Sequence, residues 1–256
     1  MLKRFSKEIA ALNLPAAQAP SAPVTEADLR PLPAQVQRAL RARKVEGRPR
    51  DEGFRGHFRG RFRRSAAEGW HAVEAMQLNC RAGHTRIFHM RMRLFGLPVY
   101  IRDVYLRGRG EMSARMFDLF PVAEGRGEPL DVGELVTWLN DAVLLAPSLL
   151  LDPSVTFAPR TGDSFEVAVT DSGRTVRAVV ELDADGLPRD FHTTDRFVQD
   201  ARGAWTRARW STPVLGWRER EGRLLPSSGR AVWHLLEGDL CYAEFAFHPE
   251  DVVFNP

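Results

Sequence analysis

The chain has 256 residues, of which 44% are hydrophobic and 27% charged, a balance that supports a packed core and excludes a disordered polyelectrolyte. Its 36 Lys and Arg against 33 Asp and Glu leave a net charge of +3, too small by itself to define an anionic partner. Two cysteines, Cys80 and Cys241, stand far apart and outside any C-x-x-C arrangement, which excludes a local zinc or dithiol motif. No run of apolar residues reaches the length of a membrane-spanning helix or of a signal-peptide core, so the sequence reads as a cytoplasmic protein without a transmembrane segment.

In chain order, residues 1–31 read as an arm. Leu2, Phe5, Ile9 and Leu12 recur at helical spacing, and an Ala/Pro-rich tether follows through Pro15, Pro20 and Pro23. Residues 32–256 read as one domain, since this length is near the upper limit of what one core serves. A helix is predicted over residues 33–43, with Pro33 where a first turn tolerates it and Val36 and Leu40 on one face.

From Gly53 the period changes to two. The run GFRGHFRGRFRR sets Phe54, Phe58 and Phe62 on one face of a strand and Arg55, His57, Arg59, Arg61 and Arg63 on the other. Strands over 70–80 and 85–95 follow, joined by the turn Arg81-Ala82-Gly83-His84. In the second, Phe88, Met90, Met92 and Leu94 alternate with Ile87, His89, Arg91 and Arg93. Strands over 99–107 and 111–117 continue the meander, and Gly108-Arg109-Gly110 reads as a bend.

The main interior helix is predicted over 132–145, with Leu135 and Leu139 on its buried stripe, Asp131 as N-cap, Glu134 completing a capping box and Pro147 ending it. Turn signals then recur at short intervals to the end of the chain, giving strands over 155–159, 164–170, 175–182, 191–198, 205–211, 216–219, 230–236 and 240–247. The fold class is therefore mainly β: a strongly curved antiparallel sheet, or half-barrel, wrapped around one or two helices.

Four segments carry a resemblance: Leu32-Pro33-Ala34-Gln35-Val36-Gln37-Arg38, Tyr105-Leu106-Arg107-Gly108-Arg109-Gly110-Glu111-Met112, Phe120-Pro121-Val122-Ala123 with Gly133-Glu134-Leu135, and Trp233-His234-Leu235. Their order resembles an uncharacterised bacterial family known only as a domain of unknown function. That family is similar in plan to the half-barrel of periplasmic lipoprotein carriers, in which a curved sheet cups an apolar cavity and helices plug its opening. The resemblance implies that fold; an export signal of the kind those carriers have is missing from the N-terminal residues.

No nucleophile elbow, phosphate loop, dinucleotide fingerprint or paired metal-ligand histidines occur, so no cofactor or metal is expected. The candidate ligand-binding set is His89, Arg91, Asp103, Tyr105 and Glu111 on adjacent strands, with Trp138, Trp210 and Trp233 lining the cup. Arg91 and Asp103 are expected to pair across strands, with the polar face of 87–93 turned into the cup. The leading expectation is a noncatalytic binding or carrier protein for an apolar or amphipathic small molecule. The alternatives are an enzyme using Asp103, His89 and Glu111, and a nucleic-acid or anionic-surface binder acting through Arg55, Arg59, Arg61, Arg63 and Arg64.

Overall fold

The computed structural model describes residues 1–12, 21–200 and 202–256. The helices are α1 (Leu2–Ala11), α2 (Glu26–Leu29), α3 (Ala34–Ala42) and α4 (Glu128–Leu144). The strands before α4 are β1 (Gly53–Phe62), β2 (His71–Cys80), β3 (Arg86–Leu94), β4 (Leu97–Leu106), β5 (Arg109–Met116) and β6 (Phe120–Arg126). Those after it are β7 (Val155–Pro159), β8 (Ser164–Asp171), β9 (Arg174–Leu182), β10 (Pro188–Gln199), β11 (Trp205–Ser211), β12 (Val214–Arg220), β13 (Arg223–Leu235), β14 (Gly238–Ala246) and β15 (Val252–Phe254).

All fifteen strands form one unclosed antiparallel sheet with the order β6-β5-β4-β3-β2-β1-β14-β13-β11-β10-β9-β8-β7. It consists of two meanders that meet where the upper half of β1 pairs with β14, Arg59 opposite Ala246. The lower half of β1 takes β15 instead, Phe54 opposite Phe254. In the same way β13 is shared, its first half pairing β12 and its second half β11. This path ends at β6 and β7, and α4 crosses the concave side between them. β6 is almost wholly exposed and carries Pro121, Glu124 and Arg126, residues that discourage pairing with another chain.

α4 is the longest helix among the described residues. It packs on β4, β5 and β6 of one wing and on β8, β9 and β10 of the other, with Leu135, Trp138, Leu139 and Ala142 fully buried. Its start differs from the sequence expectation. Gly127, at φ +100, is the N-cap and Pro129 lies in the first turn, so the helix begins four residues before residue 132. Asp131 is thus inside the helix, where its carboxylate accepts from the Gly110 N–H (2.8 Å) and from Arg109 and Arg174 (3.1 Å each). Gly110 is required there, because any Cβ would collide with the Leu130 carbonyl. The glycine-rich bend is therefore the point at which β5 meets the helix start.

The C-terminal end of α4 is closed by a residue distant in sequence. Arg43, buried after α3, donates to the carbonyls of Val143 (3.0 Å), Leu144 (2.8 Å) and Leu224 (2.8 Å), and lies 4.4 Å over the Trp217 ring. Burial lowers its pKa to about 9, but three carbonyls and the negative end of the helix hold the charge.

α1 covers the convex face of the first wing. Phe5 is buried against Leu78, Ile87 and Val104, and meets His89 edge-on at 5.4 Å. Val24 and Leu29, from the end of the expected arm, enter the main core. The Ala/Pro-rich tether through Pro15 and Pro20 lies outside the described residues.

Other departures have local reasons. β13 runs thirteen residues, Arg223–Leu235, where the sequence predicts a strand only over 230–236; its Pro226 stands opposite Trp217 of β12 in a stretch already irregular at Gly216. β6 and β15 lack the alternation that marks a half-buried strand, and were not foreseen.

The packing of α4 gives a direct test. Leu139→Asp places an unpaired carboxylate at a site with no solvent exposure. It is expected to lower unfolding free energy by about 4 kcal/mol in urea titrations. A variant within error of the parent would show that the helix is not seated in the sheet.

Candidate functional site

The odd and even residues of β3 face opposite ways, and the structure turns the even ones inward. Arg86, Phe88, Met90, Met92 and Leu94 line a cavity of about 600 Å³ between the sheet and α4. This overturns the expectation of a polar face turned into the cup. Ile87, His89, Arg91 and Arg93 are convex: His89 is bonded to Glu8 of α1 at 2.7 Å, and Arg91 is exposed and bonded to Glu74 at 2.7 Å. The physical reason is that α1 supplies a cover for the convex face, so Ile87 and His89 are buried there without needing the cup.

The β3–β4 turn fixes the rest. Phe95 and Gly96 both have positive φ, and this two-residue turn sets Phe88 opposite Asp103, His89 opposite Arg102 and Arg91 opposite Tyr100. Arg91 and Asp103 therefore lie on opposite faces and do not pair; the cation near Asp103 is Arg86, at 3.5 Å. The next two-residue turn, Arg107 and Gly108, sets Glu111 opposite Val104 on the convex side, where it faces Arg102 at 3.4 Å. His89, Glu111 and Asp103 thus share no space, and the catalytic grouping drawn from them does not assemble.

Of the eight expected site residues the cavity wall contains Asp103, Trp210 and Trp233. Tyr105 is buried at the far end of the concave face, donating to Asp171 at 2.6 Å, with its pKa raised by burial and that carboxylate. Trp138 faces away from the cavity, its Nε1 donating to the Cys80 carbonyl at 3.0 Å. Arg91, His89 and Glu111 are on the convex side, His89 buried there beneath α1.

α4 presents one helical face to the cavity: Leu130, Glu134, Thr137, Asp141 and Leu144, at alternating spacings of four and three. Its polar stripe therefore faces the void and its apolar stripe faces the core. Opposite Glu134 and Asp141 stands Arg86, donating to Glu134 at 2.9 Å and to Asp141 at 3.0 Å. Gln77 (2.6 Å) and Asn79 (3.2 Å) complete the shell of Asp141. Burial works against the charge of Arg86, but Asp141, Glu134 and Asp103 outweigh it and raise its pKa. Arg196 of β10 closes the group, lying 4.3 Å over the Trp210 ring with its guanidinium 3.9 Å from Glu134.

Burial, with the charge of Asp103 beside it, pushes the Glu134 carboxyl up to about 8. This group is the main thing that sequence reading missed, since Glu134 was assigned to a capping box. A signal did exist. Arg86 is the one charged residue on the face that bears Phe88, Met90 and Met92, and Glu134 and Asp141 lie two turns apart on a helix otherwise rich in Leu and Val.

The remaining walls are apolar, with Phe58, Met90, Met92, Met112 and Phe245 prominent and the exposed Arg64 and Arg230 at the rim. The basic strand β1 turns its arginines outward. Arg59 faces Asp251 (3.7 Å), Arg61 faces Glu244 (2.6 Å), Arg64 faces Glu68 (2.9 Å) and Arg63 donates to the Cys241 carbonyl (2.8 Å). Three of the five arginines of this run are thus paired with carboxylates, and nothing in their arrangement supports a role in binding an anionic surface. Among the described residues no group of His, Cys, Asp and Glu is placed to hold a metal ion.

The fold and site together define a half-barrel protein with a mostly apolar cavity of about 600 Å³ and a buried charged group where α4 meets the strands. The chain belongs to the family of unknown function DUF6544, whose model matches residues 22–245. Similar solved structures include a putative outer membrane lipoprotein-sorting protein domain from Vibrio parahaemolyticus, at 12% identity and TM-score 0.43, covering 86% of this chain and 93% of that one. A LolA superfamily protein from Nitrosomonas europaea is similar at 10% identity and TM-score 0.44, covering 86% and 91%. A DUF1329 family protein from Desulfovibrio piger is similar at 10% identity and TM-score 0.45, covering 86% and 92%. A comparison with curated proteins gives no match.

The raised pKa of Glu134 has a stability consequence. The native state keeps this proton up to about pH 8, whereas the unfolded chain releases it near 4.5. Between those values the native state binds more protons, so its contribution to stability is full below 4.5 and is lost as pH rises toward 8. Glu134→Gln, which imitates the protonated carboxyl, is expected to flatten this decline in urea unfolding measured from pH 5 to 8. Parallel curves for parent and variant would place Glu134 as an ionised group throughout.

Proposed function

We propose that the chain is a noncatalytic binding or carrier protein for an apolar or amphipathic small molecule held in the half-barrel cavity. The observation that carries this reading is the cavity itself: about 600 Å³, walled mainly by apolar side chains, with Arg86, Asp103, Glu134, Asp141 and Arg196 gathered at α4 and the strands facing it. Pockets that hold small ligands fall in this range, roughly 300 to 1,000 Å³, and combine apolar walls with a few convergent polar groups. Flexible thioethers such as Met90, Met92 and Met112 adapt to guests of irregular shape.

No described helix is long and apolar enough to cross a membrane. Cys80 and Cys241 are both free, and burial pushes the Cys80 thiol up to about 11, so it is an inert thiol. We place the protein in the cytoplasm, a compartment that keeps such thiols reduced.

The test is titration with a neutral, polarity-sensitive dye, N-phenyl-1-naphthylamine, followed by displacement with dodecanol. Saturable binding with displacement is expected. Met90→Trp, which fills space on the wall, is expected to weaken dye binding about tenfold or more while changing stability by roughly 1–3 kcal/mol. Absence of saturable dye binding to the parent protein would overturn the proposal.

A further inference from the structure

The charged residues of the cavity are not equally committed. Arg86 is held by Glu134 and Asp141, with Asp103 at 3.5 Å. Asp141 is bonded by Arg86, Gln77 and Asn79. Arg196, by contrast, makes no hydrogen bond among the described residues, and its Nε is buried without a partner. Its nearest carboxylate oxygen, on Glu134, is 3.9 Å away. What holds it is stacking: the guanidinium lies 4.3 Å from the Trp210 centroid and 5.5 Å from that of Trp233. An aromatic face fixes a guanidinium in plane and leaves its edge, where the N–H donors are, unspent.

From this geometry we infer that Arg196 anchors the head group of the ligand, and that this head is a carboxylate at the end of an apolar chain. The inference rests on the cavity-binding reading above. A planar guanidinium fork matches a planar carboxylate in bidentate fashion. With Glu134 protonated, Arg86 and Arg196 stand against Asp103 and Asp141, so a singly charged head adds one negative charge to the group and a dianionic phosphate would add two. The groups facing Glu134 are Arg86 from β3, Asp103 from β4, Arg196 from β10, Tyr242 from β14 and Asp141 from its own helix. In that setting burial and the neighbouring Asp103 hold the Glu134 carboxyl protonated up to about pH 8, so at neutral pH it does not repel the head. The chain then lies along Phe88, Met90, Met92 and Met112.

The experiment compares three probes with one tail, dodecanoate, dodecanol and dodecylamine, by displacement of the neutral dye from the full chain at pH 7. Dodecanoate is expected to bind about tenfold or more tighter than dodecanol, in line with a charge-assisted hydrogen-bonded pair. Arg196→Gln is expected to abolish that preference, and its far-UV circular dichroism and urea midpoint report whether the variant is folded. Arg196→Lys, which keeps the charge but not the fork, is expected to retain part of the preference. Raising the pH through about 8 is expected to weaken dodecanoate alone, and Glu134→Gln to remove that decline. Equal binding of acid and alcohol by the parent, or tightest binding of the amine, would overturn the head-group assignment and leave the cavity reading standing. Failure of all three to displace the dye would overturn both.

Discussion

The structure depends on seating a helix with polar residues inside a curved sheet. α4 is buried along nearly its whole length, yet it carries Asp131, Glu134, Asn140 and Asp141 into the interior. Each needs a partner there, because an unpaired buried carboxylate costs far more than a Leu contact returns. The sheet provides them from strands on both wings: Arg86 of β3 for Glu134 and Asp141, Arg174 of β9 for Asp131, and Thr212 after β11 for Asn140 at 2.5 Å. Arg43 then closes the carbonyl end. These contacts fix the helix in rotation as well as in position, and the rotation decides which face looks into the void.

That rotation explains why much of the fold was legible in the sequence and much of the site was not. Period-two alternation places Phe54, Phe58 and Phe62 on one face of β1, and the structure keeps them inward. The helix over 33–43 and the meander through β2 to β5 follow from equally local signals. The choice of inward face on β3 is not local, since both faces of that strand are covered. Phe5 and Glu8 reach the convex side from more than eighty positions earlier. A strand with two partly buried faces carries no sequence mark of which one meets a cavity.

The relation between strands was more accessible than the choice of face. Two-residue turns at Phe95-Gly96 and Arg107-Gly108 exchange odd and even positions from one strand to the next. Counting through them separates Arg91 from Asp103 and sets Asp103 with Phe88 and Met112, so this part of the site follows from turn chemistry alone. Arg196 is different. Its environment is made by Trp210 on the next strand and by Glu134 on a helix some sixty residues away, and β10 shifts register just before it, between Thr193 and Arg196. No alternation count carries across that irregularity.

A cavity of this size also places a mechanical demand on the wing that bounds it. β2, β3 and β4 lack close-packed neighbours over part of their concave face, and atoms that line a void lose contacts that a filled core would supply. α1 compensates on the other side. Phe5 packs into the convex cluster of Leu78, Ile87 and Val104, and Glu8 joins His89 of β3 to Arg102 of β4. Burial alone would raise the Glu8 carboxyl, but these two bonds hold it at about 2, so the clasp stays charged across the physiological range. The wall can then remain open toward the cavity because it is supported from behind, and the N-terminal helix is in that sense a component of the cavity's construction although it does not line the void.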